Sequence, residues 1–183
     1  NKANLGQIEV WEIGYLGLGS SVGDREAHLR TAIQRLKGES VRVKRVSAIY
    51  ESPHLGLHPS DAERYPPHLN SVIQIETCLS PLELLDRLIE VERAGGRERV
   101  ERWSPRTIDI DILLLGSHIE QTPRLTLPHP GIAQRAFVVL PLVELSPELV
   151  LPNGERLADI ALSKTIQGQV IRRVEGVRLL LEE

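Results

Sequence analysis

The sequence predicts an α+β protein with elements in the order β-α-β-β-α-β, an antiparallel sheet backed by helices, followed by a C-terminal extension. Three observations carry this. Ala27, Ala32, Ile33 and Leu36 recur at helical spacing. A second segment, beginning at Ser80, opens with a full set of helix-start signals. Val41 to Tyr50 and Asn70 to Cys78 are β-branched runs bounded by turn residues, and no helical pattern separates them.

The elements follow in order. Glu9 to Leu18 reads as a strand ending in Gly17-Leu18-Gly19-Ser20-Ser21, and the first helix then runs up to Gly38. The two β-branched strands come next. Between them, Glu51 to Leu69 contains Pro53, Gly56, Pro59, Pro66 and Pro67, and a loop of that length inside a compact domain is usually functional or disordered. The second helix has Ser80 as N-cap, Pro81 at its first position, Glu83 closing a capping box, and Leu79 with Leu84 as a hydrophobic staple. Gly95-Gly96 ends it. The charged, glycine-led loop Gly95 to Arg102 suits a lid over phosphates. Thr107 to Leu115 is the fourth strand, which completes the ferredoxin-like arrangement. Beyond Gly116 come Pro128, Pro130, a short helix near Ala133 to Leu140 and a turn at Asn153-Gly154, while the C-terminal segment has no clear pattern.

The fourth strand carries the chemistry. Side chains alternate along a strand, so Ile108, Ile110, Ile112 and Leu114 share one face while Asp109 and Asp111 share the other. At roughly 6 Å and an effective dielectric near 20, two carboxylates repel by about 3 kcal/mol. A cation relieves this, and Mg²⁺ is commonly held by one or two carboxylates with water and substrate phosphates as its other ligands. Arg97, Arg99, Arg102 and Arg106 stand just upstream and suit those phosphates. The plain structural alternative is an edge strand whose aspartates face solvent and pair with Arg102 or Arg106.

Composition narrows the classes. At 183 residues and 41% hydrophobic, the chain is long enough for one domain with a real core and short for two, so residues 1–183 are expected to form one domain. A formal charge of -3 gives no general attraction to nucleic acid or anionic membrane. A single cysteine, Cys78, rules out an internal disulfide and fits a reducing compartment, so a soluble, cytoplasmic protein is expected. No segment approaches a membrane span, and Asn1 to Gly14 lacks a basic start followed by an apolar run.

Two other readings weaken against the residues. Gly17-Leu18-Gly19-Ser20-Ser21-Val22-Gly23 approaches a dinucleotide fingerprint, but its third glycine is one residue late and two strands follow the first helix where a Rossmann unit needs another helix. A ferredoxin-like RNA-binding module would need aromatic residues on its central strands. The chain has one phenylalanine, and Asp109 and Asp111 would repel a phosphate backbone.

Taken together, the residues resemble the 6-hydroxymethyl-7,8-dihydropterin pyrophosphokinase family. The resemblance runs from about Tyr15 to about Leu157, with residues 158–183 as an extension. It rests on Gly17-Leu18-Gly19-Ser20, Ser52-Pro53-His54-Leu55-Gly56, Leu69-Asn70, Arg102 to Leu114, and Leu127-Pro128-His129-Pro130 through Arg135 and Phe137. The stretch Pro105-Arg106-x-x-Asp109-x-Asp111 is highly specific to that family. Ser104 departs from it, standing where glycine is usual.

The resemblance implies diphosphate transfer from ATP to the pterin alcohol, giving AMP and the pterin diphosphate in folate biosynthesis, with two Mg²⁺ ions on Asp109 and Asp111. By matching position, Arg97 and Arg106 hold the transferring diphosphate. Arg99, Arg102, Arg124, Thr126, His129 and Arg135 become further ATP contacts, with Leu85, Glu92 and Ile112 lining the nucleotide side. Asn70, with one acceptor and two donors, suits the amide-like edge of the pterin, and Ser52, Pro53 and Leu55 supply backbone groups. Phe137 is one wall of the pterin slot, and Trp103 lies close to both substrates. His68 stands where the family usually has a tyrosine as second wall, leaving His68 or Tyr65 to close the slot, and Pro130 stands where an aromatic often contacts ATP. A monomer is expected, with ATP and the pterin as partners. No histidine or glutamate is obviously poised to take the alcohol proton, so any general base is left open.

Overall fold

The computed structural model describes residues 8–53, 66–96 and 107–179. Its elements are β1 (Glu12–Ser20), α1 (Arg25–Leu36), β2 (Val41–Val46), β3 (Ile49–Ser52), β4 (His68–Thr77), α2 (Pro81–Ala94), β5 (Asp109–Leu115), β6 (Glu120–Gln121), β7 (Thr126–Leu127), α3 (Ala136–Leu145), α4 (Leu157–Ala161), α5 (Lys164–Gln167) and β8 (Arg172–Val174). The main sheet is antiparallel with order β5-β1-β4-β3-β8, and β2 also pairs with β4. β6 and β7 form a small separate ribbon.

The expected antiparallel sheet backed by helices is present, with shifted boundaries. β1 starts at Glu12 and continues to Ser20 because its ten-residue partner β4 sets its ends, with Glu12 opposite Thr77 and Ser20 opposite Leu69. Gly17 and Gly19 therefore lie inside a strand, not in a turn, and neither has a positive φ. The turn comes later, at Gly23 with φ 72°, where Asp24 caps α1 by accepting the Ala27 N–H at 3.1 Å. The single strand expected over Val41 to Tyr50 is two strands. At Ser47 the hydroxyl replaces a ladder acceptor, taking the Val72 N–H at 2.9 Å, while Ser47 N–H donates to the Val72 carbonyl at 2.9 Å.

The capping box of α2 forms as its residues require. Glu83 N–H donates to Ser80 Oγ at 3.3 Å and Ser80 N–H donates to the Glu83 carboxylate at 3.0 Å. The Ser80 backbone N–H first, and then the Ser80 side chain, hold the exposed Glu83 carboxyl below the usual carboxylate range. At the far end Gly95 abuts the next strand, since a Cβ there would lie 2.7 Å from Ile108 Cγ2. Residues 97–106, with Arg97, Arg99, Arg102, Trp103, Ser104 and Arg106, lie outside the described residues. So do Leu55 and Tyr65.

Each face of the sheet buries its own core. Leu16, Leu18, Ile73, Ile75, Ile110 and Ile112 pack against Leu29, Ile33 and Leu36 of α1 and Leu84, Leu88 and Val91 of α2. Tyr15, Val72, Leu113 and Leu114 pack against α3, α4 and α5. The expectation that Leu114 shares a face with Ile112 fails because the β1/β5 register shifts between Tyr15 and Leu16: Leu16 opposes Ile112 but Tyr15 opposes Leu114. That bulge accommodates one extra residue and turns Leu114 toward α3.

The third helix spans Ala136–Leu145 instead of the expected Ala133 to Leu140. It continues through Pro141, and burial of Ala136, Val138, Val139, Pro141, Leu142 and Leu145 outweighs the missing rung. The C-terminal segment, unassigned from sequence, supplies α4, α5 and the edge strand β8.

Candidate active site

Register brings the candidate residues together. Gly19 pairs with Asp109 on one side and Asn70 on the other, and Asn70 pairs in turn with Tyr50. Asp109, Gly19, Asn70 and Tyr50 thus form a row across four strands, on the face that α3 covers at its far end. Asp111, Gly17 and Val72 form the next row. Gly19 places bare backbone between Asp109 and Asn70, a furrow where a ligand can approach closely, whereas the space over Gly17 is filled by Leu113, whose Cδ2 would lie 3.4 Å from a Cβ there.

Asn70 is buried and firmly oriented. Its amide nitrogen donates to the Tyr50 carbonyl at 3.2 Å and to Ser52 Oγ at 2.9 Å. Both donors are spent within the protein, so what the amide offers a ligand is Oδ1, which lies on the Gly19 side. His68 alternates onto the same face as Asn70 and directly opposes Ser52. Pro53 follows at the exposed end of β3. Phe137 sits half-buried in the first turn of α3, with the Arg135 guanidinium 5.9 Å from its ring centroid.

At the other end of the furrow, Asp111 is more than half exposed and its Oδ2 lies 3.8 Å from His129 Nε2. Gly131 N–H donates to His129 Nδ1 at 3.0 Å, which leaves the neutral ring's proton on Nε2, facing Asp111. Burial pulls the His129 pKa below its ordinary value and Arg135 adds to this, against the opposing pull of Asp111. Arg124 pairs with Asp86 at 2.6 Å on the surface, an exposed contact weak enough to yield to phosphate. Thr126 is exposed on β7.

The nucleotide-side residues of α2 and β5 stand differently. Leu85 is half-buried beside the helix-side core and Glu92 is buried in the last turn of α2. Ile112 is 4% exposed and faces that same core, away from the aspartates, which leaves its backbone as the part a ligand can meet.

Among the described residues, no three His, Cys, Asp or Glu side chains gather into a metal cage. Two carboxylates on one face fit Mg²⁺ all the same, because this hard ion keeps water and phosphate ligands and dispenses with an all-protein cage. Sequence reasoning missed Tyr50 and Glu144. Tyr50 O–H donates to Glu144 at 2.9 Å across 94 residues of chain, and no local pattern announces such a pair.

The candidate site is thus an antiparallel α+β sheet that sets Asp109 and Asp111 on one face beside the oriented amide of Asn70. The profile of the 7,8-dihydro-6-hydroxymethylpterin-pyrophosphokinase family matches residues 15–147, and the chain belongs to that family. It is 41% identical over 147 residues to the Haemophilus influenzae 2-amino-4-hydroxy-6-hydroxymethyldihydropteridine pyrophosphokinase, covering 80% of this chain and 89% of that protein. The Pseudomonas aeruginosa protein of the same name is 38% identical over 163 residues, covering 88% and 96%. The wild-type HPPK-DHPS of Plasmodium falciparum, solved with pteroate, shares the fold with a TM-score of 0.65 at 15% identity. That match covers 85% of this chain and 43% of the longer one. Among the described residues, no helix is long and apolar enough to cross a membrane.

Proposed function

We propose that the chain transfers the diphosphate of ATP to the hydroxymethyl group of 6-hydroxymethyl-7,8-dihydropterin through the row Asp109, Gly19, Asn70. That row, with Asp111 in the row beside it, is the observation that supports the reading, since two carboxylates on the phosphate side then stand across Gly19 from a heterocycle-side amide. The hydroxymethyl oxygen attacks the β-phosphorus, the bond from β-phosphorus to the AMP oxygen breaks, and a proton is released. Catalysis of this kind is mostly positioning and charge stabilisation.

Asn70 Oδ1 accepts an N–H of the pterin, its direction set by Tyr50 and Ser52. Phe137 and His68 form the two walls of the slot, with backbone groups of Ser52, Pro53 and Leu55 reading the remaining edge. Arg97 and Arg106 grip the transferring diphosphate. Arg99, Arg102, Arg124, Thr126, His129 and Arg135 hold the rest of ATP, with Leu85, Glu92 and Ile112 on the nucleotide side and Trp103 between the substrates. Asp109 and Asp111 are the residues that would hold Mg²⁺, two ions in this reading, which when bound neutralises charge on the phosphate oxygens. Residues 1–183 act as one domain, a cytoplasmic monomer with neither nucleic acid nor membrane as partner; a solution mass near 20.5 kDa with both substrates present tests the oligomeric part.

The nucleotide product tests the reaction. AMP formed in step with pterin consumption supports diphosphate transfer, ADP would indicate an ordinary kinase, and no pterin-dependent turnover would remove the assignment.

A further inference from the structure

Glu144 on α3 ties the helix to the sheet at three points. Its carboxylate accepts the Ala48 N–H at 2.8 Å, the Tyr50 O–H at 2.9 Å and Arg173 Nε at 3.2 Å. One residue of α3 is thereby bonded to the junction of β2 and β3, to β3 itself and to β8. Arg173 directly opposes Tyr50 in the β3/β8 register, and Glu175 holds its Nη1 at 3.0 Å. Arg172 braces the same edge strand through Glu51 at 2.7 Å.

Glu144 and Phe137 are seven residues apart on α3, two turns, so they fall on one side of the helix. The rise between them is about 10 Å. A shift of the helix at Glu144 is therefore carried to the ring. On the sheet side, Tyr50 supplies both the hydroxyl bonded to Glu144 and the carbonyl that orients Asn70. The same residue pair thus links the two sides of the furrow. A second polar tie fastens the C-terminal end of α3: Gln74 donates to Tyr15 Oη at 3.0 Å, and Tyr15 O–H lies 2.6 Å from Ser146 Oγ.

We infer that Glu144 is a positioning residue for the pterin slot, fixing the distance between Phe137 on α3 and Ser52 and Asn70 on the sheet, and that the C-terminal strand β8 locks it in place through Arg173. The inference rests on the reading that the pterin lies between Phe137 and Asn70. It gives the C-terminal segment, which lies beyond the family match at residues 15–147, a part in substrate recognition. β8 acts there without touching substrate.

The test measures pterin and ATP dissociation constants separately in the full chain. Glu144→Ala should weaken pterin binding by about tenfold while ATP binding stays within about twofold, since misplaced walls act on one substrate. Glu144→Gln keeps the length and one acceptor oxygen, enough for Tyr50 and Arg173 but not for the Ala48 N–H, and should recover only part of the loss. Arg173→Ala and Tyr50→Phe should each weaken pterin binding by about threefold, and Tyr50→Phe should add nothing to Glu144→Ala, because both break one network. Pterin binding within twofold of the parent in Glu144→Ala would overturn the inference, as would equal losses for both substrates. If Glu144→Ala does not fold, Arg173→Ala and Tyr50→Phe decide, and unchanged pterin affinity in both overturns it. Phe137→Ala separates the two claims: if it leaves pterin affinity intact, the slot reading itself fails, whereas loss there with none at Glu144 removes the positioning role alone.

Discussion

Asp109 and Asn70 face each other across Gly19, each its direct register partner on a neighbouring strand. At strand spacings near 4.8 Å their backbones are about 10 Å apart, and nothing larger than hydrogen projects between them from Gly19. A Cβ at Gly19 would lie 3.4 Å from Asn70 Oδ1 and 3.9 Å from the Leu69 carbonyl, so a side chain fits the fold but fills the furrow. Gly19→Val is expected to melt close to the parent and to lose on the order of tenfold in kcat/KM for the pterin, about 1.4 kcal/mol of transition-state stabilisation. Steady-state kinetics beside a thermal melt checks this, and unimpaired turnover would place the substrates elsewhere.

The two aspartates give a sharper contrast. Asp109→Ala or Asp111→Ala should cut kcat by a factor on the order of 10³ or more, because metal clamping is worth several kcal/mol. The substrate-free protein should keep its fold, which a thermal melt checks. A surface ion pair predicts the reverse pattern, a stability change under about 1 kcal/mol with unchanged catalysis.

The arginines upstream separate by when they act. Arg106→Ala should lower kcat more than it raises the KM for ATP, as expected for a contact that tightens while charge develops on the diphosphate. Arg97→Ala should slow turnover with equilibrium ATP binding little changed, if that loop closes over the assembled complex. Equal weakening of ground-state ATP binding by Arg97→Ala would contradict the lid role.

What the sequence made legible was local. Ser80 and Glu83 announce the start of α2 because their capping partners are three residues apart. Asp109 and Asp111 share a face because a strand has period two. The same rule misplaced Leu114, since the bulge opposite Tyr15 and Leu16 is a property of two strands together. The break at Ser47 likewise depends on Val72, and Glu144 depends on Ala48 and Tyr50, nearly a hundred residues away. α4, α5 and β8, at five, four and three residues, are too short for periodicity to register.

Tyr50 gives a pH signature. Burial first, then its bond to Glu144, pushes its pKa up to about 12, while Arg173 acts in the opposite sense. The folded state therefore keeps the phenol proton where the unfolded chain, titrating near 10, has lost it. Its contribution to stability is fully present below about pH 10 and is lost as pH rises toward 12. Denaturant melts of the parent and Tyr50→Phe should differ most below pH 10, and the gap should narrow above it. A constant gap across that window would show that the phenol does not titrate as its surroundings require.

His68 tests how this chain closes the slot. It is half-buried, opposes Ser52 and alternates onto the face that carries Asn70, the side from which an imidazole can stack on a heterocycle opposite Phe137. Its ring is smaller than the tyrosine usual in the family. Removing it in His68→Ala should therefore cost about 1 kcal/mol of pterin affinity, the lower end of base-on-aromatic stacking, while His68→Tyr should keep or improve affinity. ATP binding should not respond, because this wall lies at the end of the furrow away from Asp111. Pterin titrations of both variants decide the matter: unchanged dissociation constants in both would mean that another residue of the preceding segment, Tyr65 foremost, supplies the wall instead.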